Sequence, residues 1–261
     1  MSGHEPVSIS RDGSPVLVYR RLPPGDAEAD VVAAAVPRGA HVLELGAGAG
    51  RVTHALLARG LAVTAVDDSA EMLGAIRGAQ TVLARIENLD LGRHFDAVVL
   101  GSHLVNVPDD DLRRTFLRVC RAHVRDDGVV LVEHHLANWA ETAVEGESRQ
   151  GDMTVALREV LRHPPFVTAV AEYAVDGFVF RQPFTARILS SAELAAALGD
   201  AGFGEVGACT RTWTAARPTP RPDRRHAPSP APEAARRAPP RTATGMPPSS
   251  AASAFATARW C

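Results

Sequence analysis

Glu44-Leu45-Gly46-Ala47-Gly48-Ala49-Gly50 is the densest chemical signal in the chain: an acid, then three glycines at alternate positions, directly before an amphipathic stretch. Glycine at that spacing lets the backbone bend where side chains would obstruct it, and lets a ligand lie against the main chain beside a helix N-terminus. Seventeen residues past Gly50, the run AVTAVD (62–67) ends in Asp67, whose carboxylate can accept two hydrogen bonds from a ribose diol at the same sheet edge. The two segments together outline a nucleoside site. The competing nicotinamide fingerprint puts its third glycine three residues after its second, and here that position is Arg51. Glu44 would also repel a pyrophosphate, whereas a ligand carrying an amino group and a sulfonium makes the same acid tolerable or helpful. Each reading has a plainer rival: Asp67 as a helix cap, with Asp68 or Ser69 able to replace it in that role, and Glu44 as the ion-pair partner of Arg51.

Histidines form the second set. His103 follows the apolar run FDAVVL (95–100), and Glu133, His134 and His135 end the run GVVLVE (128–133). If those runs are neighbouring strands, all four residues reach the carboxyl edge where ligands of open α/β sheets bind. A histidine there can take a proton from an acceptor hydroxyl or amine near neutral pH. Strand alternation puts Glu133 and His135 on one face and His134 on the other, so the sequence does not choose between the two histidines. Cys120, Cys209 and Cys261 are far apart with no CxxC pair, and no spacing suits a zinc site, so no metal is expected and a reducing, cytoplasmic setting fits.

The elements that must position these residues follow from periodicity. Between residues 25 and 133 amphipathic helices alternate with short apolar runs, which calls for a mostly parallel sheet covered on both faces. GDAEADVVAAAVP, RVTHALLARG, AEMLGAIR and DDDLRRTFLRVCRAHV read as helices; HVLEL, AVTAVD, TVLAR, FDAVVL and GVVLVE read as strands. From about 150 to 190 the period changes to two: MTVALREV, FVTAVAEYAV and FVFRQPFTARIL form an antiparallel meander, with turns at HPP (163–165) and Asp176-Gly177. SSAELAAALGDAGF is a capped helix, and EVGAC and TWTAA are closing strands.

The 261 residues contain no lysine, and the 28 arginines are unevenly spread: eight lie in 217–261 against two acids, leaving twenty against twenty-eight acids in residues 1–216. So acidic a body repels a polyphosphate backbone, which argues against nucleic acid and for a small-molecule partner. No uncharged apolar stretch approaches the ~20 residues that cross a bilayer, so no membrane association is expected. Ten prolines and no apolar period mark 217–261 as a disordered tail, a composition that a flexible extension and a shifted reading frame would both give. The oligomeric state is not legible.

VLELGAGAGRVT (42–53), VTAVDDSAEML (63–73), ARIENLDL (84–91), FDAVVLGSHLVN (95–106) and VRDDGVVLVEHH (124–135) resemble, in order, the motifs of class I S-adenosylmethionine-dependent methyltransferases. The resemblance spans roughly residues 10–216 and implies one catalytic domain over 1–216, with its donor-binding core at about 25–135. The implied fold is an α/β Rossmann-like sheet of seven mostly parallel strands, order 3-2-1-4-5-7-6, here with an antiparallel β insertion. It implies S-adenosylmethionine as cofactor, with Gly46, Ala47, Gly48 and Gly50 against its methionine and ribose and Asp67 and Asp68 at the ribose. It further implies Met72, Ile86 and Glu87 near the adenine, Leu100 and Gly101 behind the methionine part, and Tyr19 as a lid. Arg85 stands where many relatives carry an adenine-binding acid, which passes that role to Glu87 or to backbone groups. The implied activity is methyl transfer to an oxygen or nitrogen of a small molecule, with His103, His134 or His135 as base. The alternatives are a non-catalytic S-adenosylmethionine-binding regulator and an NAD-dependent oxidoreductase.

Overall fold

A computed structural model describes residues 8–10 and 13–220. A seven-stranded sheet runs in the order β3 (Gln80–Leu83), β2 (Ala62–Asp67), β1 (His41–Leu45), β4 (Phe95–Leu100), β5 (Val124–Glu133), β11 (Trp213–Pro218), β10 (Phe203–Ala208). The first five pair in parallel and the β10–β11 hairpin is antiparallel, so the expected order holds, with β10 and β11 as sixth and seventh strands. A second, antiparallel sheet follows the order β6 (Gly146–Gln150), β7 (Met153–His163), β8 (Phe166–Val175), β9 (Phe178–Arg187). The helices are α1 (Val16–Arg21), α2 (Asp26–Ala35), α3 (Arg51–Ala58), α4 (Ala70–Leu73), α5 (Asp110–His123), α6 (Trp139–Thr142) and α7 (Ser191–Asp200).

Strand alternation divides the core in two. Val42, Val63, Ala97, Val99, Val129 and Leu131 face Ala29 and Val32 of α2 and Ala55 and Leu56 of α3. Leu43, Leu45, Val66, Val98, Leu100, Val130 and Val132 face Phe116, Leu117 and Cys120 of α5 and Leu194 and Leu198 of α7. Both faces are apolar because helices cover both. The caps set the helix starts: Asp109 accepts the N–H groups of Asp111 and Leu112, and Ser190 and Glu193 form a reciprocal capping box.

Several elements differ from the sequence reading. AEMLGAIR stops as helix after Leu73, where Gly74 caps a single turn. β5 starts at Val124, four residues before the apolar run, and its pairing with β4 shifts register between Phe95 and Ala97. β11 continues through Pro218, past the expected boundary at 216, and Thr219 N–H still reaches the Gly202 carbonyl at 2.9 Å. The expected disorder of the tail beyond 220 falls outside the described residues. Among them, no helix is long and apolar enough to cross a membrane.

Candidate active site

The glycine loop bends as its spacing requires. Gly46, Gly48 and Gly50 have φ of 73°, 54° and 87°, a region that glycine alone enters without strain. Gly46 and Ala47 both donate to the Val66 carbonyl at 2.9 Å, which seats the loop on the end of β2. Close approach is a second reason for glycine: a Cβ on Gly46 would stand 2.7 Å from Leu104, and one on Gly48 would stand 3.4 Å from the Tyr19 ring. Asp67 ties both sides of the cleft, accepting Gly48 N–H at 2.8 Å on one oxygen and Ser69 N–H at 2.9 Å on the other. The cap of α4 is Ser69, whose hydroxyl accepts Met72 N–H. Asp67 is therefore not the cap.

The cleft is lined by Gly46, Gly48, Asp67, Asp68 and Met72 from the parallel sheet, by Ser102 and Leu104 past β4, and by Ser10, Ser14 and Tyr19 from the N-terminal arm. Tyr19 reaches it because α1 is sandwiched. Val16 and Tyr19 pack with Ala49 and Met72, while Val18 packs with Met153, Val155 and Tyr173 of the second sheet. Gln182 Nε2 donates to Ser14 Oγ at 2.9 Å, and Ser14 donates to the Tyr19 hydroxyl at 3.1 Å. Arg21 adds ion pairs to Asp152 and Asp176 at 3.1 and 2.8 Å.

Glu44 lies beneath the loop, 5% exposed, and accepts Thr53 Oγ at 2.5 Å. Its expected rival partner, Arg51, instead pairs with the buried Glu28 at 2.8 Å. Burial pushes the Glu44 carboxyl up to about 7, against the smaller opposing effects of the Thr53 hydrogen bond and the Arg51 charge.

Ile86 is buried in a single 3-10 turn, Ile86–Asn88, and Glu87 beside it pairs with Arg85. Leu100 is fully buried, so it backs the site only through the packed core, while Gly101 abuts Glu133.

At the carboxyl edge the structure separates the histidines. His134 points to the hairpin, its ring nitrogens engaged by Thr214 Oγ and the His135 carbonyl at 3.0 Å each. His135 turns inward and is half-buried; its ring stands edge-on to His103 (centroids 4.0 Å apart) and stacks on Trp139 at 4.2 Å. Burial lowers both His134 and His135, the latter well below the ordinary imidazole range. His103 Nδ1 lies 3.6 Å from Glu133 Oε2. Burial pushes the Glu133 carboxyl up, but the adjacent His103 ring, the Arg51 charge and the Ser102 N–H outweigh it and hold the group below its usual value.

Trp139, Phe184, Asn106, Ser10 and Ser14 belong to this region and were missed in the sequence. Asn106 carried a readable signal, since it ends the motif FDAVVLGSHLVN. It links three segments, accepting His135 N–H at 3.0 Å and donating to the Arg187 carbonyl at 2.8 Å.

Residues 42–128, the strands and loops that build this cleft, match the methyltransferase domain family. Over these residues the chain is similar to that family. Its fold is similar to that of the CcbJ methyltransferase from Streptomyces caelestis, at 22% identity and a TM-score of 0.61 over 78% of this chain and 96% of that one. It is similar too to the S-adenosylmethionine-bound amino pentose methyltransferase from Micromonospora echinaspora, at 21% identity and TM-score 0.59 over 83% and 100% of the chains. A sugar N-methyltransferase from a Streptoalloteichus species gives 20% identity and TM-score 0.58 over 84% and 96%. No curated protein sequence matches this chain.

Proposed function

We propose that this methyltransferase domain transfers the methyl group of S-adenosylmethionine to a nitrogen or oxygen of a small molecule. The observation that carries the reading is one continuous cleft. It begins at the Gly46–Gly50 loop and Asp67 and ends at Ser102 and Leu104, the two neighbours of His103. The donor fits the residues present: a glycine cradle that a Cβ would fill, and acids at Glu44, Asp67 and Asp68 that suit a cation and not a pyrophosphate. Asp67 would hold the ribose hydroxyls and Met72 the adenine, with Gly46, Ala47, Gly48 and Gly50 against the rest and Tyr19 as cover.

The sulfonium donor supplies a methyl group already activated toward a nucleophile. The protein's own contribution would be to exclude water, with Tyr19 on an arm that the second sheet holds in place, and to hold acceptor, methyl carbon and sulfur in line. In this reading His103, between Ser102 and Leu104, would accept a proton from the acceptor. The acceptor class draws support from similar folds that act on amino sugars and glycopeptides, and from the acidic body, which disfavours nucleic acid. The dispersed cysteines support a cytoplasmic setting.

Incubating the protein and a cell extract with isotopically methyl-labelled donor, then following the label by mass spectrometry, tests the reading. Label in small metabolites is the expected outcome. Label in protein or nucleic acid overturns the acceptor class, and donor binding with no transfer to any acceptor makes the chain a regulator.

A further inference from the structure

Ser102 and His103 adopt left-handed backbone in succession, with φ of 52° and 56°, where β4 ends beside the cleft. Such backbone is costly for residues that carry a Cβ and persists only where the surroundings over-determine it. Glu133 is the brace: its Oε2 accepts Ser102 N–H at 2.7 Å, while Asn106 N–H closes on the His103 carbonyl at 2.8 Å. The same Oε2 is the atom 3.6 Å from His103 Nδ1, and that nitrogen is buried with no hydrogen-bond partner among the described residues. Closing by roughly half an ångström turns this separation into a hydrogen bond.

From this geometry we infer that Glu133 is the positioning residue of a His103 base that deprotonates a cationic amine acceptor, an inference resting on the methyl-transfer reading above. With Nδ1–H aimed at Glu133, the lone pair falls on Nε2. Ring orientation is fixed by His135, itself clamped through Trp139 to Phe184. The other charged and titratable groups facing the pair do not replace Glu133. His134 and His135 are driven toward the neutral form by burial, and Arg51 is bound to Glu28.

The chemistry selects the acceptor. Moving a proton from an alkylammonium to an imidazole is uphill by about four pK units, which catalysis can supply. An aliphatic alcohol is far less acidic than either. A phenol matches the ammonium in acidity, but its anion would form in a cleft lined by Asp67 and Asp68 and next to the His103 partner Glu133, whereas an ammonium is attracted by the same acids. In the balanced step, His103 takes one N–H proton and the freed nitrogen lone pair forms the N–CH3 bond. The S–CH3 bond breaks with its electron pair passing to sulfur, and His103 later releases the proton to solvent.

The test compares wild type, Glu133→Gln and His103→Gln. The amide oxygen of E133Q can still accept Ser102 N–H, so the brace survives and the charge alone is lost. S-adenosylhomocysteine affinity in E133Q is expected to stay within about threefold of wild type, because Glu133 does not line the donor cleft. In a nitrogen NMR spectrum the His103 ring should show the Nδ1–H tautomer in the wild type and weaken that preference in E133Q. With an amine acceptor, kcat should fall about 10-fold in E133Q and about 100-fold in H103Q.

An unchanged His103 tautomer in E133Q overturns the inference and leaves Glu133 a structural brace. So does an amine methylation rate that survives H103Q, or equal use of an amine and its hydroxyl counterpart. If E133Q fails to fold, the same spectrum of Glu133→Asp, which withdraws the carboxylate by one methylene, decides. The spectrum needs no turnover: a wild type that transfers no methyl group refutes the enzyme reading, while the ring tautomer still establishes or removes the pair.

Discussion

Replacing Glu44 by glutamine should stabilise the protein, and should do so in a pH-dependent way that the structure specifies. The Glu44 carboxyl is buried and pushed up to about 7 from 4.5. The folded chain therefore binds a proton that the unfolded chain has already released, and ionising Glu44 costs folded stability. The sign follows: at pH below about 4.5 both states are protonated and there is no cost. The cost grows as pH rises through the interval up to about 7, then levels off. A gap of about 2.5 units at 1.36 kcal/mol each gives a plateau near 3 kcal/mol. The glutamine side chain keeps an oxygen for the Thr53 hydroxyl and has no charge to bury, so E44Q should escape this cost. Urea denaturation of both proteins from about pH 5 to about pH 8 should show a difference in unfolding free energy that starts below about 1 kcal/mol and rises to about 3. At the upper end this corresponds to a Tm gain of about 6–12 °C for a domain of this size. A flat difference across the range, or one that shrinks with rising pH, would refute the buried-acid reasoning. A cationic donor should also bind more tightly as Glu44 ionises, so wild-type affinity for S-adenosylmethionine should rise between about pH 6 and about pH 8 while that of E44Q stays level.

Asp67→Ala removes both the acceptor of Gly48 N–H and the expected ribose ligand, so donor affinity should fall about 10- to 100-fold by calorimetry, while circular dichroism stays native. Gly50→Ala sets a left-handed φ of 87° against a Cβ placed 2.7 Å from Ile76, so urea denaturation should show a loss of about 2–5 kcal/mol. Gly60→Ala, at φ 76° with open space, is the control and should lose only about 1–2 kcal/mol. A chain ending at Pro220 should keep the melting temperature and donor affinity of the full chain. One ending at Arg217 loses buried Pro218 and the Thr219–Gly202 hydrogen bond, and should melt measurably lower.

The parallel sheet was legible because each strand is a short apolar run bounded by a turn signal. HVLEL, AVTAVD and FDAVVL coincide with β1, β2 and β4 residue for residue. β8 was equally plain, since FVTAVAEYAV alternates against one buried face. β6 was missed because GESRQ is an edge strand with no apolar alternation, held by main-chain pairing to β7. α1 was missed for the opposite reason: VLVYRR has too few turns to show a helical period, and tertiary packing fixes it. In the site, the glycines and Asp67 were readable because backbone geometry demands those residue types. Strand alternation correctly grouped Glu133 with His135, but which face met His103 depended on where β9 and α6 close over the edge. Trp139 and Phe184 lie 45 residues apart in the chain and meet only in the fold, so no local pattern announces them.

Calorimetry of the intact chain with S-adenosylhomocysteine and, separately, with NADH tests the central claim most directly, namely that the Gly46–Gly50 loop and Asp67 form a donor site for methyl transfer. One-to-one binding of S-adenosylhomocysteine that weakens about 10- to 100-fold in Asp67→Ala, with no heat from NADH, is the predicted result. Binding of NADH with none of S-adenosylhomocysteine would contradict the account and move the cleft to dehydrogenase chemistry.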